Sequence, residues 1–125
     1  MKCPKCGGLF IQALLEDIQI DRCNSCNGLW FDELELKAVL NKKGSEKLDT
    51  GTKSDYERTS KIEDIFCPKD NSKMIKMVDV KQNHIWFESC GVCRGIFLDA
   101  TELKDLKEYS LFDIVKSILV SGREG

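Results

Sequence analysis

Cys23-Asn24-Ser25-Cys26-Asn27-Gly28-Leu29-Trp30-Phe31-Asp32 returns 67 residues later as Cys90-Gly91-Val92-Cys93-Arg94-Gly95-Ile96-Phe97-Leu98-Asp99, and the likeness runs on through Glu35-Leu36 and Glu102-Leu103. Upstream of each copy stands a shorter match, Cys3-Pro4-Lys5-Cys6 against Cys67-Pro68-Lys69-Asp70, at an offset of 64. The three residues gained by the second copy fall between its cysteine pairs, where a hairpin can absorb them. The chain therefore reads as two homologous modules, 1–40 and 66–109, separated by 41–65 and followed by 110–125.

Cys3-x2-Cys6-x16-Cys23-x2-Cys26 is the spacing by which two tight turns bring four thiolates to one tetrahedral ion. Thiolate is a soft donor suited to zinc. The backbone must also wrap the metal, and Gly7, Gly8, Gly28 and Asn27 offer the conformational freedom for it. Modules of about 40 residues lie below the size at which a core alone holds a fold, so metal is expected to supply folding free energy. In the second module Cys67, Cys90 and Cys93 leave one corner open, for which Asp70 and His84 compete. Asp70 occupies the slot of Cys6, whereas His84 lies six residues before Cys90 on a predicted strand, roughly 20 Å up the hairpin. Imidazole is the commoner ligand, but position favours Asp70. Two Zn2+ per chain are expected, one on Cys3, Cys6, Cys23 and Cys26, the other on Cys67, Asp70, Cys90 and Cys93.

Between the knuckles, Phe10–Leu15 and Ile18–Arg22 read as strands joined near Glu16-Asp17. Met74–Val80 and Ile85–Ser89 play those parts in the second module, with a turn near Gln82-Asn83. A helix should follow each second knuckle: Asp32 and Asp99 stand as N-caps with Glu35 and Glu102 three residues on, and Leu36, Val39, Leu40, then Leu103 and Leu106, share a face. Leu111, Ile114, Val115, Ile118 and Leu119 fit a third, C-terminal amphipathic helix capped by Ser110, which packs within the chain or forms a dimer surface. The expected fold is a small metal-stabilised α+β chain: two zinc ribbons, each followed by a helix, and the extra C-terminal helix. Residues 41–65, rich in Lys, Glu, Asp, Ser and Thr, read as a solvated polar linker in which 54–61 could form a helix against a module.

These motifs resemble a family of short zinc ribbons classed as transcription-factor zinc fingers, named for likeness to the ribbon of transcription factor IIB. Its pattern is C-P-x-C or C-P-x-D, a hairpin, then C-x-x-C-x-G-x-W-hydrophobic-D-x-x-E-L. Here Cys3-Pro4-Lys5-Cys6 with Cys23 through Leu36, and Cys67-Pro68-Lys69-Asp70 with Cys90 through Leu103, follow it, Phe97 standing in the second copy for the tryptophan. The resemblance implies zinc binding and the ribbon-plus-helix form.

The 125 residues, 42% hydrophobic, 8% aromatic and 32% charged, exclude a large single-core enzyme. Seven cysteines cannot close a disulfide framework, and Met1-Lys2-Cys3-Pro4 begins no apolar leader, so reduced thiols and a cytoplasmic location are expected. No stretch reaches the roughly 18 apolar residues of a membrane span. Formal charge is -2; two zinc ions add four positive charges and seven thiolates seven negative ones, leaving about -5. That charge disfavours phosphate binding. A single His permits no nucleophilic triad, and no metalloprotease or deaminase motif is present. The expected function is a non-catalytic, zinc-stabilised adapter for a protein partner linked to transcription. The alternative is a nucleic-acid-binding regulator using Lys73, Lys76 and Lys81; a metal-dependent enzyme stands third. Trp30 and Phe97 read as caps on each ribbon's core, and Trp86 and His84 as candidates for an exposed face.

Overall fold

The structure is a computed structural model that describes residues 1–78 and 85–108. The first hairpin forms as expected: β1 (Phe10–Leu15) pairs antiparallel with β2 (Ile18–Cys23), and Glu16 takes a positive φ of 52° in the turn. In the second module β4 (Ile75–Val78) pairs with β5 (Trp86–Ser89) in the same way. The turn expected at Gln82-Asn83, His84, and the C-terminal helix expected over 110–125 lie outside the described residues.

Each module adds a strand that the sequence reading did not assign. The three-residue runs after the knuckles, β3 (Leu29–Phe31) and β6 (Ile96–Leu98), pair with the outer hairpin of their own module and with each other. One six-stranded sheet results, in the order β1-β2-β3-β6-β5-β4. At its centre Trp30 lies opposite Phe97, flanked by Leu29 opposite Leu98 and Phe31 opposite Ile96. Trp30 and Phe97 are repeat equivalents, so the register places a pseudo-two-fold axis between them, as in a symmetric dimer interface.

Strand alternation sorts the core onto two faces. Leu29, Phe31, Leu98, Ile20 and Ile85 build one cluster with Val39 and Leu103. Trp30 and Phe97 point the other way, into a second cluster with the cysteines, Ile65 and Met74. Helix α1 (Glu35–Asn41) covers the first face through Val39, with Leu36 and Leu40 packed beside it.

The stretch 41–65 is not a solvated linker in this structure. A 3-10 helix, Ser45–Leu48, buries Leu48 in the first cluster, and α2 (Lys53–Thr59) leads to Ile62 and Ile65 in the second. α2 starts with a full capping box between Thr52 and Asp55. Its polar residues anchor both modules: Asp55 accepts from Asn27 at 3.1 Å, Arg58 donates to Ser25 O at 2.9 Å, and Thr59 donates to Asp99 at 2.8 Å. Few apolar residues are therefore enough, because hydrogen bonds satisfy the polar ones on burial.

The helix caps also differ from expectation. Glu35 accepts from Asp32 N at 2.6 Å, but the Asp32 carboxylate takes the Trp30 indole N–H and Lys69 instead of capping α1. The second module's helix, α3 (102–108), is capped from the intervening segment. Buried Asp49 accepts from Thr101 N at 3.0 Å and Lys104 N at 3.2 Å, while Asp99 turns to Lys5 and Thr59.

Candidate metal centres

All four knuckles are built alike. The residue after each second donor, Gly7, Asn27, Asn71 and Arg94, has a positive φ between 60° and 77°. This left-handed step lets its amide donate back to the carbonyl of the first cysteine: Gly7 to Cys3 at 3.0 Å, Asn27 to Cys23 at 3.0 Å, Asn71 to Cys67 at 2.9 Å and Arg94 to Cys90 at 2.9 Å. The turn thus swings both donors of a knuckle to one side. Gly8 and Gly28 serve differently from the freedom expected of them, since neither has a positive φ. A Cβ at Gly8 would lie 2.8 Å from Cys23 Sγ, and one at Gly28 would overlap the Phe97 ring.

Two groups of four donors result, Cys3, Cys6, Cys23 and Cys26 in one and Cys67, Asp70, Cys90 and Cys93 in the other; within each, one ligand atom per residue lies within 4.8 Å of the rest. In the first, Cys3 Sγ is 3.7 Å from Cys26 Sγ and Cys6 Sγ 3.3 Å from Cys23 Sγ. Sulfurs at about 2.3 Å from a tetrahedral zinc would stand about 3.8 Å apart, so the cluster is slightly contracted around the right centre. Backbone amides point at sulfur: Gly8 N to Cys6 at 3.4 Å, and Ser25 N and Cys26 N to Cys23 at 3.4 and 3.5 Å. In the second, Cys67 and Cys93 sulfurs stand 3.6 Å apart, and Lys69 N, Cys93 N and Gly95 N aim at Cys67, Cys90 and Cys93. Asp70 Oδ2 is 3.3 Å from Cys90 Sγ, so the carboxylate takes the corner that Cys6 fills in the first group.

The electrostatics of these groups call for a cation. Burial pushes the Cys23 thiol up to about 11 and Cys67 up to about 12. Cys26 is raised by its contact with Cys3 and by burial. Cys6, against the burial that opposes it, is held at about 7 by the Gly8 amide and its sulfur neighbours. Asp70 is held down at about 2 by the Ser72 hydroxyl and amide. Packed sulfurs resist ionising together, and a divalent ion at their centre removes that resistance; soft sulfur donors with backbone N–H support suit zinc.

The modules also exchange contacts across the pseudo-two-fold axis. Trp30 and Phe97 are fully buried, but each caps the other module: a Cβ on Gly95 would overlap the Trp30 ring, as one on Gly28 would overlap Phe97. Lys5 of the first knuckle pairs with Asp99 at 2.9 Å, and Lys69 of the second pairs with Asp32. Lys5 also reaches Glu88 at 3.0 Å and lies over the Phe97 ring. Sequence reasoning missed Lys5, Glu88 and Asp49; the proline-lysine pair inside each knuckle was the only local hint. Trp86 is 44% exposed, in line with its expected surface position, with Lys76 over its ring.

Residues 2–42 and 66–109 both match the transcription factor zinc-finger family. No curated protein and no solved structure matches the chain significantly. Among the described residues no helix is long and apolar enough to cross a membrane. The two matches span more than half of the chain and coincide with the two four-donor groups; the chain is a zinc-binding member of the transcription factor zinc-finger family, with two tandem zinc ribbons.

Proposed function

We propose that this chain holds two structural zinc ions, one on Cys3, Cys6, Cys23 and Cys26 and one on Cys67, Asp70, Cys90 and Cys93, and works as a non-catalytic adapter for a protein partner in transcription. The observation that carries the adapter reading is the way surface charge is spent. Around the second module Lys69, Lys73, Lys76 and Arg94 are paired with Asp32, Asp64, Glu63 and Glu33. The two of the hairpin lysines that fall among the described residues, Lys73 and Lys76, are thus neutralised, which weakens attraction to phosphate. Apolar side chains remain open on the outer strands, Leu14 on β1, Ile75 and Met77 on β4 and Trp86 on β5. Exposed apolar groups beside paired charges suit a protein surface better than a nucleic-acid backbone. Four protein donors at each centre also leave no position for a reacting water.

Metal analysis of the purified protein should give two zinc ions per chain, and a stoichiometry near one would overturn the two-centre assignment. At sub-micromolar protein and about 150 mM salt, random-sequence duplex DNA should show no mobility shift. A shift that weakens in a Lys73→Glu, Lys76→Glu variant would replace the adapter reading with the nucleic-acid one.

A further inference from the structure

The two centres differ at a second position besides the fourth donor. The repeat offset that sets Asp70 against Cys6 sets Ser72 against Gly8. The knuckle backbones agree, Cys3 N donating to Gly8 O at 2.7 Å and Cys67 N to Ser72 O at 2.8 Å. Their side chains do not. In the first knuckle Gly8 N supports the Cys6 sulfur at 3.4 Å, and a Cβ at Gly8 would meet Ser25 Cβ at 2.7 Å as well as Cys23 Sγ. In the second the corresponding amide, Ser72 N, donates to Asp70 Oδ1 at 2.9 Å, and the Ser72 hydroxyl adds a second bond to that oxygen at 2.5 Å. Oδ1 is thereby held twice, and Oδ2 is the nearer of the two carboxylate oxygens to Cys90 Sγ, at 3.3 Å against 3.6 Å.

We propose that Ser72 is the ligand-positioning residue of the second centre: it grips one oxygen of Asp70 so that the other alone meets the metal, and Asp70 with Ser72 is a coupled replacement for Cys6 with Gly8. The inference rests on the reading of Asp70 as fourth ligand. A thiolate offers one donor atom and needs no orienting. A carboxylate has two, rotates freely about its last torsion, and at an exposed position forfeits that freedom on binding unless something holds it beforehand. Ser72 supplies that hold through an amide that the knuckle fixes and a hydroxyl that also lies 3.1 Å from Cys90 Sγ.

The test is titration of the full chain with Co2+, followed by displacement with Zn2+, the four-sulfur and three-sulfur-one-oxygen centres being told apart by their absorption. Loss of an outer partner of a metal ligand typically costs 10–100-fold in affinity. Ser72→Ala should weaken the second centre by about that factor, Ser72→Thr should keep it, and the first centre should bind unchanged in both, which controls for folding. In an Asp70→Ala background Ser72→Ala should have no further effect. Wild-type affinity in Ser72→Ala alongside a weakened Asp70→Ala would overturn the positioning role and leave the ligand reading intact. Unchanged affinity in Asp70→Ala would overturn the ligand reading itself. A further loss in the double variant would overturn the coupling by showing that Ser72 acts on the centre apart from Asp70.

Discussion

Lys5 and Lys69 occupy the same place in the repeat and make the same exchange across it, yet their replacement by alanine should have very unequal consequences. The Lys5 side chain is 0% exposed, between Glu88 and Asp99 at 5% and 6%. Removing it leaves two carboxylates buried together without a counter-charge, which typically costs about 3–5 kcal/mol. Lys69 and Asp32 are 41% and 44% exposed, and a pair so open to water contributes about 0.2–1 kcal/mol. Against a total stability of about 5–15 kcal/mol, Lys5→Ala is severe and Lys69→Ala slight. Urea unfolding in excess zinc, followed by tryptophan fluorescence, gives both values from the midpoint and slope. Burial disfavours the Lys5 charge, but Asp99 and Glu88 outweigh it and raise its pKa above 10.5, so its contribution is complete below that value and constant from pH 6 to 9. Burial already raises Glu88, and without Lys5 it rises further. The variant should therefore recover stability relative to wild type as pH falls and Glu88 takes up a proton. Equal costs for the two variants, or a Lys5→Ala cost below about 1 kcal/mol, would refute the claim that burial separates these pairs.

Glu102 is pushed up to about 8 by burial and by Asp99 and Asp105, with Tyr56 and Lys5 opposing. The folded state then holds a proton that the unfolded chain releases near 4.5, so this group makes stability fall from about pH 4.5 to 8. Glu102→Gln should remove that slope and be the more stable form above pH 8; unfolding curves of the two proteins that stay parallel across the range would contradict the assignment. Asp49→Ala removes two bonds to the first turn of α3 and should cost about 1–2 kcal/mol in the same urea experiment. Gly95→Ala drives a methyl into the Trp30 ring and should destabilise by about 1–3 kcal/mol, with altered tryptophan emission in the folded state as the second readout.

The donors, the repeat and the first hairpin were legible because each is a local pattern: cysteine spacing, a fixed offset, and alternation on either side of Glu16-Asp17. Position in the repeat also singled out Asp70, which the structure groups with Cys67, Cys90 and Cys93. The strands β3 and β6 were not legible, since three residues carry no period, and nothing in Leu29–Phe31 alone says that its partner is Ile96–Leu98. Gly28 looked like a source of backbone freedom because the ring that needs its space, Phe97, lies in the opposite module. Asp32 and Asp99 looked like caps because the motif is local, whereas Lys69 and Lys5 compete for them from far along the chain. The middle segment misled for the same reason. Its composition is that of a linker, but Asp49 and Thr59 are satisfied by groups 40 to 55 residues away.

Joining β3 to β6 within one polypeptide has a consequence for dilution and for divergence. The contact has the geometry by which two identical subunits associate, but the segment between the halves makes their association intramolecular. Assembly is then a folding event, indifferent to how many copies the cell contains. Two separate subunits would have to carry the same substitution twice, once on each side of the axis. Covalent fusion lifts that restriction, so one half can keep four sulfurs while the other trades a cysteine for an aspartate and a glycine for a serine, and a symmetric scaffold comes to carry two chemically unequal ends.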